Sequence, residues 1–311
     1  MELTLHIGAH RTATTAMQDM LVASEAALSE RGIKALVHAQ LGFNTGFPDV
    51  VHHKNWDQAR TWIDAQTQSA RKVIISDEGM IGDMGWNLRS GTFYLRAFTK
   101  LTAYRDFLGQ APARVGLGIR EYGSYWQSAH GKELLYRNMQ KLGVPRFDDI
   151  RLSLLAAKRG WLDLIADIRA VFKTSEIVVW PLDANIPIDH LGRYLLNEDD
   201  LMLIPPSAAV NAGPEVGILP ALEAFRTAHP TASSTKTLAW LKTQKPTDYQ
   251  GFTQDERARL GQLYQMDIDA LKQGFADVTF LRFDMQETVV AKRRADVGDN
   301  PAVDDAIKVF K

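Results

Sequence analysis

The residues best suited to chemistry lie near the amino end, where a glycine and several hydroxyls surround an arginine. Residues 8–15 read Gly-Ala-His-Arg-Thr-Ala-Thr-Thr, and they follow an alternating apolar segment over Leu3–Ile7. Backbone amides of a tight loop and of a helix amino terminus converge on anions, and hydroxyl and guanidinium groups add donors. The stretch therefore predicts a phosphate cradle between a strand and a helix. The alternative is an ordinary strand, turn and helix in which the threonines act only as caps.

The spacing of this loop differs from that of a Walker loop, which runs Gly, four residues, Gly, Lys and then Ser or Thr. Counted from Gly8, Ala13 stands at the second glycine and Thr14 stands at the lysine. The basic residue is instead Arg11, two positions before Ala13. The lysine that a kinase of this type uses is therefore missing, although the loop keeps the donors that an anion requires.

A second arginine follows another apolar segment further along the chain. Arg120 comes directly after Val115–Ile119, and Ser128 lies eight residues on in the next predicted helix. A guanidinium clamps a phosphate through two parallel hydrogen bonds, and a serine hydroxyl supplies an additional donor. The alternative is a strand-terminal arginine that pairs with Glu121 or another acid.

A glutamate that could accept a proton follows a third strand. The buried strand predicted over Lys72–Ser76 is followed by Asp77 and Glu78. Parallel sheets place ligand sites at the carboxyl edge of their strands, so Glu78, Arg120 and the loop at residues 8–15 are expected to face one crevice. A carboxylate there can take a proton from a hydroxyl.

Two other interpretations of these acid–base groups stay open. Glu78 is nearly as well explained as a carboxylate that orients Arg11 or an active-site lysine. His130, two residues beyond Ser128, is an alternative base, although a histidine on the helix surface is the simpler interpretation.

Together these segments resemble sulfotransferases that use 3′-phosphoadenosine 5′-phosphosulfate (PAPS). Arg11-Thr12-Ala13-Thr14-Thr15 is similar to the family's 5′-phosphosulfate loop, Lys-x-Gly-Thr-Thr, with Arg for Lys and Ala for Gly. Ile119–Ser128 carries an Arg and a Ser at the family's spacing, and Ser76-Asp77-Glu78 resembles its Ser-Ser-Glu. The resemblance is specific over residues 1–135 and weaker over residues 136–290. It does not extend to residues 291–311. It points to the bacterial or carbohydrate-type branch, because the Lys-Gly-x-x-Gly-x-Trp segment of cytosolic animal enzymes is absent.

The resemblance implies a P-loop-like fold and direct transfer of a sulfuryl group from PAPS to a hydroxyl or amine, with no metal and with 3′,5′-ADP as product. It implies that Arg120 and Ser128 hold the 3′-phosphate and that Glu78 takes the acceptor proton. Arg11 would offset charge on the bridging oxygen as the nucleotide leaves. The remaining residues expected to bind the nucleotide are His10, Thr12, Ala13, Thr14 and Thr15.

The elements that must position these residues alternate along the chain. Strands are predicted over residues 3–7, 33–37, 72–76, 115–119 and 177–180. Helices are predicted over residues 55–69, 98–108, 124–140, 150–157 and 160–172. An earlier helix is predicted from the apolar spacing over residues 17–28, with Gly32 placed to stop it. This alternation predicts a three-layer parallel α/β fold, and two glycines in the fourth strand predict close approach by backbone or ligand. Past residue 206 only helices are predicted, over 214–228 and 254–274, before a short apolar segment at 278–281.

The irregular stretches at residues 40–56 and 82–91 are predicted to be loops. We expect residues 40–56 and 80–97 to shape the acceptor pocket, with Trp86 and Tyr94 exposed or facing it. The adjacent His52 and His53 cannot point the same way and are expected to be a surface pair rather than a metal site.

Length and composition set the outer limits. We expect a core over residues 1–204, a helical C-terminal part of the same domain over 205–290 and a surface tail over 291–311. The net charge of −1 argues against nucleic-acid binding through bulk charge, and the absence of cysteine excludes disulfides and thiolate metal sites. No apolar run approaches the ~20 residues of a membrane helix. These features lead us to expect a cytoplasmic protein. The resemblance implies that it is an enzyme and that its acceptor is a small molecule or a carbohydrate.

Two other functions remain open from the sequence. A nucleotide or phosphometabolite kinase would need a Walker lysine and a carboxylate for Mg²⁺, and Thr14 stands where that lysine should be. A non-catalytic relative that keeps the nucleotide site is the other, because Arg11 and Ala13 depart from the family loop.

Overall fold

A six-stranded parallel sheet lies at the centre of the fold. The computed structural model describes residues 1–44, 56–136, 143–206 and 213–282. Within them the strand order is β2-β3-β1-β4-β5-β6, and every neighbouring pair is parallel. The strands are β1 (Glu2–His6), β2 (Ile33–Val37), β3 (Lys72–Ser76), β4 (Arg114–Ile119), β5 (Glu176–Pro181) and β6 (Thr279–Phe280). The predicted parallel α/β class is therefore confirmed.

Helices connect the strands and cover both faces of the sheet. In chain order they are α1 (Thr14–Ala23), α2 (Glu25–Glu30), α3 (His38–Asn44), α4 (Trp56–Thr67), α5 (Met84–Ser90), α6 (Ala97–Leu108), α7 (Tyr122–Tyr136), α8 (Phe147–Leu155), α9 (Trp161–Val171), α10 (Ile188–Leu196), α11 (Leu219–Ala228), α12 (Ser234–Leu241) and α13 (Gln254–Lys272). None of the described helices combines the length and apolar character needed to cross a membrane.

Two apolar cores lie on opposite faces of the sheet and make the three layers. On one face, Leu3 and Leu5 of β1 share a core with residues of α4, α6 and α9. On the other face, Ile74 of β3 and Val178 of β5 pack with residues of α1, α2 and α10. Strands that bury side chains on both faces need near-continuous apolar sequence, which is why the strands are readable from sequence.

The fourth strand carries two glycines because neighbouring side chains come too close for a larger residue. A Cβ on Gly116 would lie 2.8 Å from Leu195 Cδ2 of α10, and one on Gly118 would lie 2.8 Å from Thr12 Oγ1. The two glycines are therefore approached closely, but by side chains of α10 and of the loop after β1 rather than by the predicted backbone or ligand.

Several sequence expectations are corrected by the structure. The helix predicted over residues 17–28 divides at Ser24 into α1 and α2, although Gly32 does follow it in a left-handed conformation. The loop predicted at residues 82–91 contains α5, because the Asp83 carboxylate caps its first turn by accepting from Trp86 N at 2.6 Å. The start of the loop predicted at 40–56 belongs to α3, and residues 45–55 lie outside the described part of the chain.

The C-terminal part contains more than the predicted helices. The sequence did not predict α10 or α12, and the apolar segment near residue 280 adds β6 to the edge of the sheet. Hydrogen bonds from Tyr264 to Asp183 (3.2 Å) and from Tyr122 to Asp267 join helix α13 to the core. The histidine pair at 52 and 53 and the predicted tail at 291–311 lie outside the described residues.

Candidate anion-binding site

The loop that follows β1 leaves the centre of the sheet at its carboxyl edge. Ile7 N donates to Gly116 O at 3.0 Å and Ala9 N donates to Gly118 O at 3.4 Å, so β4 guides the chain until residue 9. Gly8 is required here, because a Cβ at this position would lie 2.5 Å from Thr14 Oγ1. The loop therefore folds back tightly onto the start of α1.

Two non-glycine residues of the loop adopt left-handed backbone conformations. Arg11 has φ +68° and Ala13 has φ +64°, and Ala13 is the residue that precedes α1. Such a conformation costs a non-glycine residue about 1–2 kcal/mol. Ala13 thus adopts a glycine-type conformation, and its methyl group supplies no cap for the helix. The first amides of α1 are left for water or for an external anion.

The threonine hydroxyls of the loop divide between two tasks. Thr12 Oγ1 and Thr14 Oγ1 both donate to Ala9 O, at 2.6 and 3.2 Å, and so stabilise the turn. Thr14 and Thr15 line the cavity described next, whereas the buried Thr12 does not. The structure therefore corrects the expectation for the Thr12 hydroxyl, which stabilises the loop rather than facing a ligand.

A cavity of about 460 Å³ opens in front of the loop. Its walls come from the loop, from α7, from the segment after β3 and from residues 213–216. Eight of the nine predicted site residues line it, namely His10, Arg11, Ala13, Thr14, Thr15, Glu78, Arg120 and Ser128. The carboxyl ends of β1, β3 and β4 thus bring residues more than a hundred positions apart into one crevice.

The two arginines of the cavity are held by hydroxyls of α7. Arg11 Nε donates to Ser128 Oγ at 2.8 Å, and Arg120 Nε donates to Ser124 Oγ at 2.8 Å. Arg120 also donates to the Arg11 carbonyl oxygen at 3.1 Å. Ser128 thus contacts the loop arginine, and Ser124 contacts Arg120. That Arg120 and Ser128 together hold a 3′-phosphate stays a prediction.

The alternative interpretation paired Arg120 with Glu121 or another acid, and Glu121 does not form this ion pair. Its carboxylate instead accepts from Gly123 N and Ser124 N, both at 2.7 Å, and caps the start of α7. Burial lowers the pKa of Arg120, and the neighbouring Arg11 lowers it further. Two like charges are thus held close together, which is an arrangement that an anion would stabilise.

A third cation of the cavity, Lys132, was missed by the sequence analysis. It lies one helical turn beyond Ser128 on α7, so the two side chains share a face. Burial lowers the pKa of Lys132, Arg11 lowers it further, and Glu78 raises it. The spacing of four residues after Ser128 was the available signal.

The acidic wall of the cavity follows β3. Glu78 Oε2 accepts from Gln18 Nε2 at 3.0 Å, and the same amide donates to Ser76 O at 3.2 Å. Glu78 is partly buried and lines the cavity, as a proton acceptor would have to. Its contact to Gln18 of α1 fixes its position relative to the loop.

Beside Glu78 lies a pair that the sequence analysis did not identify. The fully buried Asp77 accepts from Gly79 N at 2.7 Å and from His38 Nδ1 at 2.8 Å. The hydrogen bond to Asp77 raises the pKa of His38 to about 9. One ligand atom each from His38, Asp77 and Glu78 lie within 4.8 Å of one another, which is compatible with a metal ion. Asp77 Oδ2 is buried and has no hydrogen-bond partner among the described residues.

The alternative base, His130, is not on the helix surface. It is fully buried, its Nε2 donates to Pro145 O at 2.8 Å, and burial lowers its pKa to about 4. It does not line the cavity. The surface interpretation of His130 is therefore wrong, and its position does not suit the role of base.

No family model matches the chain, and no curated protein or solved structure is significantly similar to it. The cavity is lined by three basic groups, by the uncapped start of α1 and by the Glu78 carboxylate. Such a cavity can hold a multiply charged anion and accept a proton.

Proposed function

We propose that this chain transfers a sulfuryl group from PAPS to a hydroxyl or amine of a small-molecule or carbohydrate acceptor. The observation that carries the proposal is the convergence of Arg11, Arg120 and Lys132 with the uncapped start of α1 on one cavity that also contains Glu78. The loop motif resembles the 5′-phosphosulfate loop, and its Walker lysine is replaced by Thr14.

The donor set suits a nucleotide that carries anionic groups at both its 3′ and 5′ positions. The amides at the start of α1 with Thr14 and Thr15 would hold the 5′-phosphosulfate, because a helix amino terminus stabilises negative charge. Arg120 and the hydroxyls of α7 would hold the 3′-phosphate, where a guanidinium gives a bidentate contact. Two separate anion subsites distinguish this nucleotide from ADP and AMP.

In the proposed reaction the S–O bond to the nucleotide breaks and a bond from sulfur to the acceptor oxygen or nitrogen forms. The acceptor proton passes to the Glu78 carboxylate, which Gln18 holds at the acidic wall. Arg11 and Lys132 offset the negative charge that grows on the leaving phosphate oxygen. Positioning and electrostatics therefore supply the catalysis, with the groups of this chain fixed before the nucleotide arrives.

The deciding experiment is calorimetric binding of 3′,5′-ADP beside 5′-ADP and 5′-AMP. We expect 3′,5′-ADP to bind at least tenfold more tightly than the other two, because one charge-assisted contact contributes roughly 1.5–3 kcal/mol. Equal affinity for 3′,5′-ADP and 5′-ADP would refute the assignment. Turnover of PAPS labelled in its sulfate, screened over a library of hydroxyl and amine acceptors, then separates an enzyme from a non-catalytic nucleotide-binding protein.

A second candidate function is metal-dependent phosphoryl transfer to a small metabolite. The observation that favours it is the group His38, Asp77 and Glu78, since carboxylate and imidazole ligands suit Mn²⁺ or Zn²⁺. The missing Walker lysine argues against it. Hydrolysis or transfer from ATP that requires a divalent ion, without turnover of PAPS, would favour this function over the first.

A further inference from the structure

A chain of buried polar groups runs from α5 to the loop histidine, and the proposed function does not use it. Asn87, Tyr125 and Tyr94 are at most 1% exposed, and each joins the next by a hydrogen bond of 3.1 Å. Tyr94 then contacts His10 at two points, the backbone N (3.1 Å) and Nδ1 (3.0 Å). Buried polar groups need partners, so the direction of each hydrogen can be worked out along this chain.

The direction is fixed at the Asn87 end. Tyr94 N donates to Asn87 Oδ1 at 3.1 Å, which leaves the amide nitrogen of Asn87 to donate to Tyr125 Oη. The Tyr125 hydroxyl must therefore direct its own hydrogen to Tyr94 Oη, since Asn87 Nδ2 cannot accept it.

At the other end, Tyr94 Oη already accepts from Tyr125 and from His10 N. Its own hydrogen goes to His10 Nδ1, the remaining acceptor within 3.0 Å. His10 Nδ1 thus carries no hydrogen, and the neutral ring must bear it on Nε2. Burial lowers the pKa of His10, which agrees with a neutral ring despite the nearby carboxylates of Glu78, Asp83 and Asp77.

We infer that this relay fixes His10 as a neutral hydrogen-bond donor to the anion in the cavity. His10 lines the cavity, and in the part of the chain that is described no other protein group lies within hydrogen-bonding distance of its ring. The Nε2–H is therefore available to a ligand oxygen, as a donor that adds direction without adding charge. Tyr94 and Tyr125 act through His10 and are positioning residues. The inference deepens the proposed function by naming a specificity-determining donor of the same site.

The first test does not depend on the ligand. Long-range ¹H–¹⁵N correlation spectra of ¹⁵N-histidine-labelled protein at pH 7.5 report which ring nitrogen is protonated, and loss of a signal in His10→Gln assigns the residue. We expect protonated Nε2 in the parent protein. Asn87→Asp replaces the amide donor by an acceptor, so the hydroxyls of Tyr125 and Tyr94 would donate in the opposite direction. The ring hydrogen of His10 would then move from Nε2 to Nδ1. Tyr194→Phe, which removes a tyrosine hydroxyl bonded to Glu176 elsewhere, should leave the spectrum unchanged.

The second test measures anion affinity, with inorganic pyrophosphate and 3′,5′-ADP as separate probes. We expect His10→Leu to weaken both by tenfold or more, His10→Gln to recover most of the loss through its side-chain amide, and the exposed His190→Leu to have no effect. If the affinity for pyrophosphate depends on His10 but the protein binds 3′,5′-ADP no more tightly than 5′-ADP, the inference stands and the PAPS assignment fails. A parent protein with hydrogen on Nδ1, or unchanged affinity for both anions in His10→Leu, would overturn the inference.

Discussion

Two neighbouring turns of this protein leave the same edge of the sheet and are built in opposite ways. β1 and β3 are paired in register, with His6 opposite Ser76, so their turns begin side by side. After β3, the Asp77 carboxylate accepts from Gly79 N and completes the turn internally. After β1, Ala13 supplies no cap, and the loop contains left-handed residues.

The difference shows where a ligand can contribute. A turn that satisfies its own amides with a carboxylate gains nothing from an external anion and presents negative charge instead. A turn without a cap leaves its amides for a ligand, and here three basic side chains surround it. The two turns therefore divide the roles at this cavity: one leaves amides that an anion can use, and the other contributes a carboxylate.

The largest effect that would test this division is expected at Glu78. If the acidic side takes the acceptor proton, Glu78→Gln should slow PAPS-dependent transfer by roughly 10²–10⁴ while leaving 3′,5′-ADP affinity nearly intact. Steady-state rates and calorimetry on the same preparation measure both quantities. Glu215→Gln, at the other glutamate that lines the cavity, is the matched control and should retain near-parental activity.

A Glu78→Gln variant with near-full activity would contradict this role. Glu78 would then serve to hold Gln18 rather than to take the acceptor proton.

A smaller effect is expected for a cation of the cavity: Arg120→Ala should weaken 3′,5′-ADP binding by about 10- to 100-fold, the equivalent of one charge-assisted contact. Part of the loss arises because Arg120 also supports the Arg11 carbonyl. Arg89→Ala removes an arginine of α5 that does not line the cavity, and its affinity should match the parent's. Arg11→Ala should lose both affinity and activity, and parental affinity in that variant would mean that the loop is not the anion site.

A smaller effect is expected in the pH dependence of stability. The pKa of His38 is about 9 in the folded protein, above its ordinary value of 6.5, so the folded state binds this proton more tightly. The stability it contributes is complete below pH 6.5 and is lost as the pH rises towards 9. Because the side chain is half exposed, we expect a change of about 1 kcal/mol or less.

Urea unfolding at pH 6, 7.5 and 9 measures this change, with His38→Gln as the comparison. The parent protein should lose more stability over this range than the variant does. Equal slopes for the two proteins would show that the His38–Asp77 pair does not stabilise the turn after β3.

The smallest effect concerns the backbone of the uncapped turn. Ala13→Gly removes the steric penalty of a left-handed alanine but adds freedom to the unfolded chain, so the net gain in unfolding free energy should be below about 1 kcal/mol. Ala16→Gly, three residues on in α1, should instead lose about 1 kcal/mol. A destabilised Ala13→Gly variant would contradict the strain assigned to this loop. The double variant Arg11→Lys with Ala13→Gly should retain binding of 3′,5′-ADP. Its rate of sulfuryl transfer should be at least that of the parent.

The sequence predicted the sheet and most of the cavity because both depend on local patterns. Strands buried on two faces give apolar runs, and a ligand site at the carboxyl ends of such strands follows from parallel topology. The sequence alone therefore predicts that Arg11, Glu78 and Arg120 face one crevice. Lys132 was missed because its spacing of four residues after Ser128 indicates a shared face of α7 but does not show that this face lines the cavity.

Partner choice was the part that sequence could not provide. Ser128 and Ser124 both lie near the arginines, and which hydroxyl contacts which guanidinium depends on how α7 sits over the loop. The burial of His130 depends on its contact with Pro145, which lies in a separate segment. The helices α5 and α10 were missed because glycines and a proline interrupt their sequence pattern or flank it.

The position of β1 has a consequence for the order in which the molecule assembles. β1 precedes the other five strands of this sheet in the chain, yet it lies in the middle of the sheet, with Glu2 opposite Lys72 and Thr4 opposite Arg114. Such long sequence separations between paired residues slow folding, because β1 stays unpaired until β3 and β4 are available. During synthesis from the amino end, the loop at residues 8–13 cannot reach its final shape until β4, with Gly116 and Gly118, has left the ribosome.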